Sequence, residues 1–190
     1  MQRNIFIFHG TAGNPQENWF PWLKKELEKK DCRVFVPQFP TPKGESLESW
    51  LDVISKYKKY FDKDTILIGH SKGGLFLLRL LERLKQPVHA SFLVSTAIGI
   101  KPYVFYDLNY KFTQGYEFNW DKIRSNSKYF TVYHSDNDPY TCIDNGKQIS
   151  KNLGINLTFI PNSGHFNTKS GYTKFDKLYE DIYSLLINNS

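Results

Sequence analysis

The chain has 190 residues, enough for one domain with a substantial hydrophobic core. Hydrophobic residues make up 40% of it and charged residues 23%, which is ordinary for a globular protein and excludes a disordered one. The net charge of +6 comes from scattered lysines, and no arginine-rich stripe alternates with aromatic residues. This charge pattern does not indicate nucleic-acid binding.

Features that would direct the chain to a membrane or an oxidising compartment are not found in the sequence. No apolar run approaches the roughly 20 residues that cross a bilayer. Residues 1–4 lead directly into the apolar run 5–8, which is too short for the core of a signal peptide. Cys32 and Cys142 have neither metal-ligand spacing nor a CxxC pattern. We therefore expect a cytoplasmic protein with no membrane association and two reduced thiols.

Strand-like and helix-like segments alternate along the chain without an internal repeat or a low-complexity linker. In chain order we expect strand 5–8, helix 19–30, strand 33–36, helix 46–60, strand 65–68, helix 73–84, strand 88–94, strand 129–133, helix 142–152, strand 155–160 and helix 174–187. Gly154 is expected to end the helix before it. This alternation predicts one α/β domain over residues 1–190, with a mostly parallel central sheet of about six strands and helices on both faces.

Residues 97–121 interrupt this alternation and are expected to be irregular. They lie where such folds often insert a cap over the active site. Together with residues 19–22, their aromatic side chains are expected to form an apolar substrate pocket, although most aromatic side chains pack in a core. The aromatic residues of this segment are Tyr103, Phe105, Tyr106, Tyr110, Phe112, Tyr116, Phe118 and Trp120.

Residues 69–73 (GHSKG) match the pattern G-x-S-x-G. A chain of this length contains the pattern by chance roughly one time in twenty. Here, however, it follows a predicted strand and opens a predicted helix, which indicates a nucleophile elbow that raises the Ser71 hydroxyl above the sheet. Gly69 and Gly73 are needed because a Cβ at either position would clash across the turn. The alternative is that Ser71 is only an N-cap serine.

A serine nucleophile needs a general base and an acid that orients it. Of the five histidines, His165 stands on the loop after the sixth predicted strand, where the base is expected. A surface-loop histidine is the alternative. The acid should follow the fifth strand, where Asp136 and Asp138 compete. We assign Asp138, which precedes a proline at the first turn of the next helix, and expect Asp136 to cap the turn.

Two backbone N–H groups are expected to stabilise the oxyanion of the reaction. One belongs to Lys72, directly after the nucleophile. The other should come from residues 9–13 (HGTAG), after the first strand, where we choose Thr11 with Ala12 as the alternative. His9 either takes part in the site or only supports this loop by hydrogen bonding.

With these motifs, the chain resembles over nearly its whole length the small serine hydrolase family of bacterial YdeN and the vertebrate retinoblastoma-binding serine hydrolase. The matching segments are residues 19–23 (WFPWL), 37–40 (PQFP), 69–74 (GHSKGG), 135–140 (SDNDPY) and 163–166 (SGHF). The resemblance implies an α/β-hydrolase fold with a minimal cap, and esterase activity from a triad of Ser71, Asp138 and His165. The chain departs from the family at Lys72, where a small or apolar residue is usual, and in the aromatic segment 97–121.

The sequence therefore predicts a serine hydrolase that cleaves small carboxylic esters by acyl transfer, with thioesterase and peptidase chemistry left open. The alternative is a catalytically weak or inactive α/β-hydrolase that serves as a protein-binding module. We expect no metal and no cofactor, because there is no ligand cluster and residues 9–13 stand in place of a dinucleotide-binding glycine motif. The natural substrate and the oligomeric state stay open.

Overall fold

Six parallel strands form the central sheet of the protein, whose computed structural model describes residues 2–187. The strands are β1 (Asn4–Phe8), β2 (Arg33–Phe35), β3 (Ile66–His70), β4 (Val88–Val94), β5 (Ser127–His134) and β6 (Thr158–Phe159). Their order across the sheet is β2-β1-β3-β4-β5-β6, and every neighbouring pair runs parallel. The predicted parallel sheet of about six strands is confirmed.

Helices cover the sheet on both faces, as predicted. They are α1 (Phe20–Glu28), α2 (Leu47–Ser55), α3 (Lys72–Leu81), α4 (Tyr106–Thr113), α5 (Trp120–Ser125), α6 (Ile143–Leu153) and α7 (Asp176–Ile187). Successive residues of a strand point to opposite faces. Phe6 and Phe8 of β1 accordingly join one apolar cluster with α2, α3, α5 and α6. Ile5 and Ile7 of the same strand join a second cluster with α1 and α7.

Two predicted elements are shorter in the structure by four residues or more. The helix expected over residues 46–60 ends at Ser55, because the next N–H groups bond to carbonyls three residues back, as Tyr57 does to Ile54 at 2.9 Å. This tighter pattern gives a 3₁₀ turn over Lys58–Tyr60. The strand expected over residues 155–160 covers only Thr158–Phe159, at the edge of the sheet.

The segment 97–121 is more regular than the sequence predicts. It contains α4 and the start of α5, between β4 and β5. Asp107 in the first turn and Lys111 in the last turn of α4 suit the helix dipole. The Phe112 ring packs edge-on against Trp50 of α2, with 5.0 Å between the ring centres. The segment is therefore a small helical cap that is anchored by its aromatic residues.

Two further observations concern the membrane and the cysteines. Within residues 2–187, no helix is both long and apolar enough to cross a membrane. Cys32 and Cys142 are both free thiols, as predicted.

Gly154 takes a left-handed conformation (φ 71°) directly after α6, which confirms that it ends this helix.

Candidate active site

Ser71 occupies the turn between the end of β3 and the start of α3. Its backbone has φ 56° and ψ −122°, a region that favours glycine and costs other residues of order 1–3 kcal/mol. The Ser71 N–H donates to the carbonyl of Val94 on β4 at 2.8 Å, which holds the turn against the sheet. The Ser71 side chain makes no capping hydrogen bond to α3, so the interpretation as an N-cap serine is not supported.

The glycines around Ser71 allow the chain to turn this sharply. A Cβ on Gly69 would lie 2.5 Å from the Cα of Gly74, and a Cβ on Gly73 would lie 2.1 Å from the carbonyl oxygen of Phe8. Real Cβ atoms do not approach backbone so closely, which confirms the predicted steric need for glycine at both positions.

His165 and Asp138 are joined by a hydrogen bond of 2.7 Å between Nδ1 and Oδ2. The Asp138 side chain is fully buried, and its other oxygen accepts the N–H of Tyr140 at 2.9 Å. Burial raises the pKa of Asp138, but the hydrogen bond and the charge of His165 outweigh it and hold the pKa below its ordinary value. An ionised Asp138 accepts the Nδ1–H of His165, which leaves Nε2 of the ring as a proton acceptor.

Asp136, the competing acid, lies elsewhere. It is exposed, and its carboxylate accepts the backbone N–H of Asn162 at 2.9 Å. This hydrogen bond lowers the pKa of Asp136. The structure thus brings Asp138 to His165, while Asp136 holds a neighbouring loop and also interacts with the backbone N–H groups of its own turn.

The loop that carries His165 is fixed by side chains that the sequence did not single out. Ser135 Oγ accepts the N–H of Ser163 at 2.8 Å, and Asn137 Oδ1 accepts the N–H of Gly164 at 2.7 Å. Together with the bond from the Asn162 N–H to Asp136, the side chains of residues 135–137 accept hydrogen bonds from the backbone N–H groups of residues 162–164, just before His165. The motif SDNDP had signalled an acid loop, but its partners become visible only when the two loops meet in space.

His70, the residue before the nucleophile, also supports His165. Its Nε2 lies 2.8 Å from the His165 carbonyl oxygen, which can only accept, so Nε2 carries the proton. Burial lowers the pKa of His70 to about 3, which keeps the ring neutral. His70 was not among the predicted site residues, since only the tertiary structure places it beneath the base.

His9 supports the loop after β1. Its Nδ1–H donates to the Gly10 carbonyl at 2.9 Å, and its Nε2 accepts the Phe39 N–H at 3.0 Å. The ring is fully buried, and burial lowers its pKa. Of the two roles considered for His9, the structure therefore shows the supporting one.

The same loop lies directly against the nucleophile. A Cβ added to Gly10 would meet the Cβ of Ser71 at 2.9 Å. Thr11 lines the pocket beside Ser71. The N–H of Ala12, the alternative oxyanion donor, instead donates to Thr41 Oγ1 at 2.8 Å. This bond occupies the donor of Ala12 and favours Thr11 for the oxyanion.

Ser71 and His165 line a common pocket of about 360 Å³. Within residues 2–187, the His165 side chain is hydrogen-bonded to Asp138 and not to Ser71. Hydrogen bonds between catalytic side chains often form or tighten only when substrate binds. The pocket-lining residues are Gly10, Thr11, Glu17, Asn18, His70, Ser71, Phe105, Tyr140, His165, Asn167, Thr168 and Lys169. Of the aromatic residues in segments 97–121 and 19–22 that were expected to form an apolar pocket, only Phe105 is in this lining.

Phe105 and Trp19 illustrate where the aromatic side chains of the two segments lie. From segment 97–121 only Phe105 lines the pocket, since the other aromatic side chains pack on the protein or are exposed. Trp19 is fully buried beneath the site and donates its Nε1–H to the Phe166 carbonyl at 3.0 Å.

Within residues 2–187, no group of three or more histidine, cysteine, aspartate or glutamate side chains is arranged to hold a metal ion.

Lys72 does not present its charge to the pocket. Its side chain is completely buried and forms an ion pair with Glu45, whose side chain is 5% exposed. The Lys72 Nζ also lies 5.0 Å from the centre of the Phe112 ring. Burial lowers the pKa of Lys72, while Glu45 opposes this shift. The sequence predicted a cation near the elbow, but not the carboxylate 27 residues earlier that neutralises it.

A parallel sheet flanked by helices, with a strained serine between strand and helix, defines the α/β-hydrolases. Comparison with known proteins narrows this class. The serine hydrolase family matches residues 5–184, so the chain belongs to that family.

Individual relatives agree with this assignment. YdeN of Bacillus subtilis is 28% identical over 184 residues, covering 97% of this chain and 96% of YdeN. The serine hydrolase RBBP9 of Rattus norvegicus is 26% identical over 186 residues, covering 95% of this chain and 94% of RBBP9. The crystal structure of the B. subtilis ydeN gene product matches with a TM-score of 0.89 at 29% identity, over 97% of this chain and 99% of that one. Est1E from Butyrivibrio proteoclasticus shares the fold, with a TM-score of 0.70 at 16% identity over 98% and 89% of the two chains.

Proposed function

We propose that the protein hydrolyses small carboxylic esters through a catalytic triad of Ser71, His165 and Asp138. The observation that carries the proposal is the strained turn at Ser71, which opens onto the same pocket as the Asp138-bound ring of His165. A strained serine at this place is costly, and such strain is typical of functional sites.

In the first half of the reaction, Ser71 Oγ attacks the ester carbonyl and His165 Nε2 takes the hydroxyl proton. The carbonyl π electrons move to the oxygen. When the tetrahedral intermediate collapses, the bond to the alcohol oxygen breaks and His165 returns the proton to the departing alcohol. An acyl-enzyme on Ser71 results.

In the second half, water replaces the alcohol. His165 removes a proton from the water as it attacks the acyl carbon, and the bond to Ser71 Oγ then breaks. The proton passes from His165 to Ser71, and the free acid leaves. Asp138 keeps the Nδ1 proton in place and stabilises the imidazolium that forms in both halves.

Two backbone donors are assigned to the oxyanion, the N–H groups of Lys72 and Thr11. Lys72 is the first residue of α3, whose N–H has no acceptor within the helix and lies at the positive end of the helix dipole. Thr11 stands on the loop whose Gly10 touches Ser71. Donors fixed in this way stabilise the negative charge only as it develops.

The pocket supports a small substrate. Its volume of about 360 Å³ lies near the lower end of the range for small-molecule sites. Phe105 and Tyr140 supply apolar surface, whereas Glu17, Asn18 and Lys169 make part of the lining polar. A short acyl chain and a compact alcohol or water-soluble leaving group suit this mixture.

The test is a series of p-nitrophenyl esters of increasing acyl length, assayed with the wild type and with Ser71→Ala. We expect acetyl and butyryl esters to give higher kcat/KM than decanoyl and longer esters, and Ser71→Ala to abolish turnover. A folded wild type that hydrolyses none of the esters would favour the protein-binding alternative. Faster turnover of thioesters or peptides than of matched esters would support the catalytic triad but contradict the assignment of esters as the substrate class.

A further inference from the structure

A series of polar contacts, buried at Lys72 and exposed at Ala12, links the residue after the nucleophile to the loop that carries Thr11. It begins at Lys72, whose Nζ pairs with Glu45 Oε1. The other oxygen of Glu45 accepts the hydroxyl of Thr41 at 2.6 Å. Thr41 Oγ1 in turn accepts the N–H of Ala12 at 2.8 Å. Three contacts thus connect the residue after the nucleophile to the residue after Thr11.

The directions of the hydrogen bonds that join Glu45, Thr41 and Ala12 are fixed by which of these groups can donate. A threonine hydroxyl has one proton to donate and lone pairs to accept. The Ala12 N–H can only donate, so a lone pair of Thr41 Oγ1 faces it and the Thr41 proton is directed at Glu45 Oε2. The ion pair with Lys72 holds this carboxylate in place. Lys72 therefore acts, through Glu45, on the position of the acceptor toward which the Thr41 hydroxyl points.

Ala12 needs such a constraint, since it has φ 54°. This left-handed conformation is unfavourable for alanine, and it persists where surrounding contacts determine the backbone. The bond to Thr41 fixes the peptide plane between Thr11 and Ala12. The preceding peptide, which carries the Thr11 N–H, is thereby held beside Ser71.

Stability alone does not account for the buried pair. Removing two charges from water is costly, and well-packed apolar residues of similar size are often as stabilising as a buried ion pair or more so. The side chains of Lys72 and Glu45 are 0% and 5% exposed, so they bear this desolvation cost almost fully. What the pair supplies and apolar residues cannot is a directed hydrogen bond.

We propose that Lys72, Glu45 and Thr41 form a positioning relay that sets the two oxyanion donors relative to one another. The inference rests on the proposed esterase function. None of the three residues lines the pocket beside Ser71, so they are positioning residues. Because the negative charge on the oxygen develops after the ester is bound, in the transition states and the tetrahedral intermediate, disturbing the relay should lower kcat and leave KM nearly unchanged.

Thr41 gives the sharpest test. Thr41→Val removes the hydroxyl and leaves the ion pair, whereas Thr41→Ser keeps the hydroxyl and serves as the rescue variant. We expect Thr41→Val to lower kcat and the rate of fluorophosphonate labelling by about 10- to 100-fold, with KM changed by less than about threefold. Thr41→Ser should stay within about threefold of the wild type.

A second variant separates positioning from folding. The double variant Lys72→Met/Glu45→Leu removes both charges together, so that no unpaired charge is left buried. We expect it to unfold at the same urea concentration as the wild type or higher, yet to lose kcat like Thr41→Val. Lys147→Met is the matched control, because it breaks an exposed pair with Asp144 and should change neither kcat nor stability.

Amide hydrogen exchange gives a readout that does not depend on catalysis. The Ala12 N–H should be protected in the wild type and exchange faster in Thr41→Val and in the double variant. Unchanged kcat in both variants of an active enzyme would overturn the relay while leaving the esterase proposal intact. Absence of activity in the folded wild type would instead overturn the esterase proposal, and the relay with it.

Discussion

His70 Nε2 donates to the backbone carbonyl of His165 at 2.8 Å, so the residue before the proposed nucleophile supports the proposed base from below. The two imidazole rings lie 4.9 Å apart, centre to centre. Only a neutral His70 suits this place, because a second cation beside His165 would oppose its protonation during the reaction.

The neutral state of His70 should make the protein sensitive to acid. Burial lowers its pKa from 6.5 to about 3, so between these values the unfolded chain binds a proton that the folded one does not. Stability is then lost as the pH falls through this window, by about 1.4 kcal/mol per pH unit for one proton. In urea unfolding between pH 6 and 4, His70→Gln should show a correspondingly shallower loss. Equal slopes for the variant and the wild type would contradict a neutral, buried His70.

The identity of the acid can be tested with a matched pair of amides. Asp138→Asn should lower kcat by about 10³- to 10⁴-fold, because the amide cannot hold the Nδ1 proton or balance the imidazolium. Asp136→Asn keeps an acceptor for the Asn162 N–H and should change kcat only a few-fold. Steady-state kinetics with an activated ester measure both. A larger loss in Asp136→Asn than in Asp138→Asn would show that the acid is misassigned.

The loop before His165 should depend on Asn137. Asn137→Ala removes the acceptor of the Gly164 N–H and should cost about 1 kcal/mol of stability. We also expect kcat to fall about tenfold, because small displacements of a catalytic group are costly. Asn137→Asp retains the acceptor oxygen and is the control. If both variants behave alike, the hydrogen bond to Gly164 is not what places His165.

Substitution of two glycines by alanine should affect activity at one position and stability at the other. Gly10→Ala would bring a Cβ to 2.9 Å from that of Ser71 and should lower kcat at least tenfold by displacing the nucleophile or the loop. Gly154→Ala has open space but φ 71°, so it should cost about 1–2 kcal/mol of stability and leave kcat unchanged. Kinetics and urea unfolding of both variants check this. Undiminished activity in Gly10→Ala would argue against a loop pressed onto Ser71.

Much of the fold could be predicted because its signals are local. Apolar strands alternating with helices gave the parallel sheet, and the glycines around Ser71 gave the turn, since each depends on a few adjacent residues. The end of α2 was missed, because its hydrophobic spacing continues to Tyr60 while the backbone changes to a 3₁₀ turn. Helix α4 was missed because its aromatic residues are weak helix formers.

The main residues of the candidate site could be predicted from the sequence, but the residues that hydrogen-bond to them and hold them in place could not. Ser71, Asp138 and His165 each follow a strand, so chain order alone suggested them. The partners of Lys72 and His70 lie 27 and 95 residues away, and no local pattern marks such pairs. The aromatic pocket was overestimated for a similar reason, since composition cannot distinguish an aromatic residue that lines a pocket from one that packs beneath it.

The most direct test of the account is labelling with a fluorophosphonate, followed by mass spectrometry of the modified peptide. We expect one label per molecule on Ser71 of the wild type, no label on Ser71→Ala, and labelling slowed by several orders of magnitude in His165→Ala. Circular dichroism of each variant establishes that it is folded. A folded wild type that takes no label, or takes it on a residue other than Ser71, would contradict the assignment of Ser71 as the nucleophile.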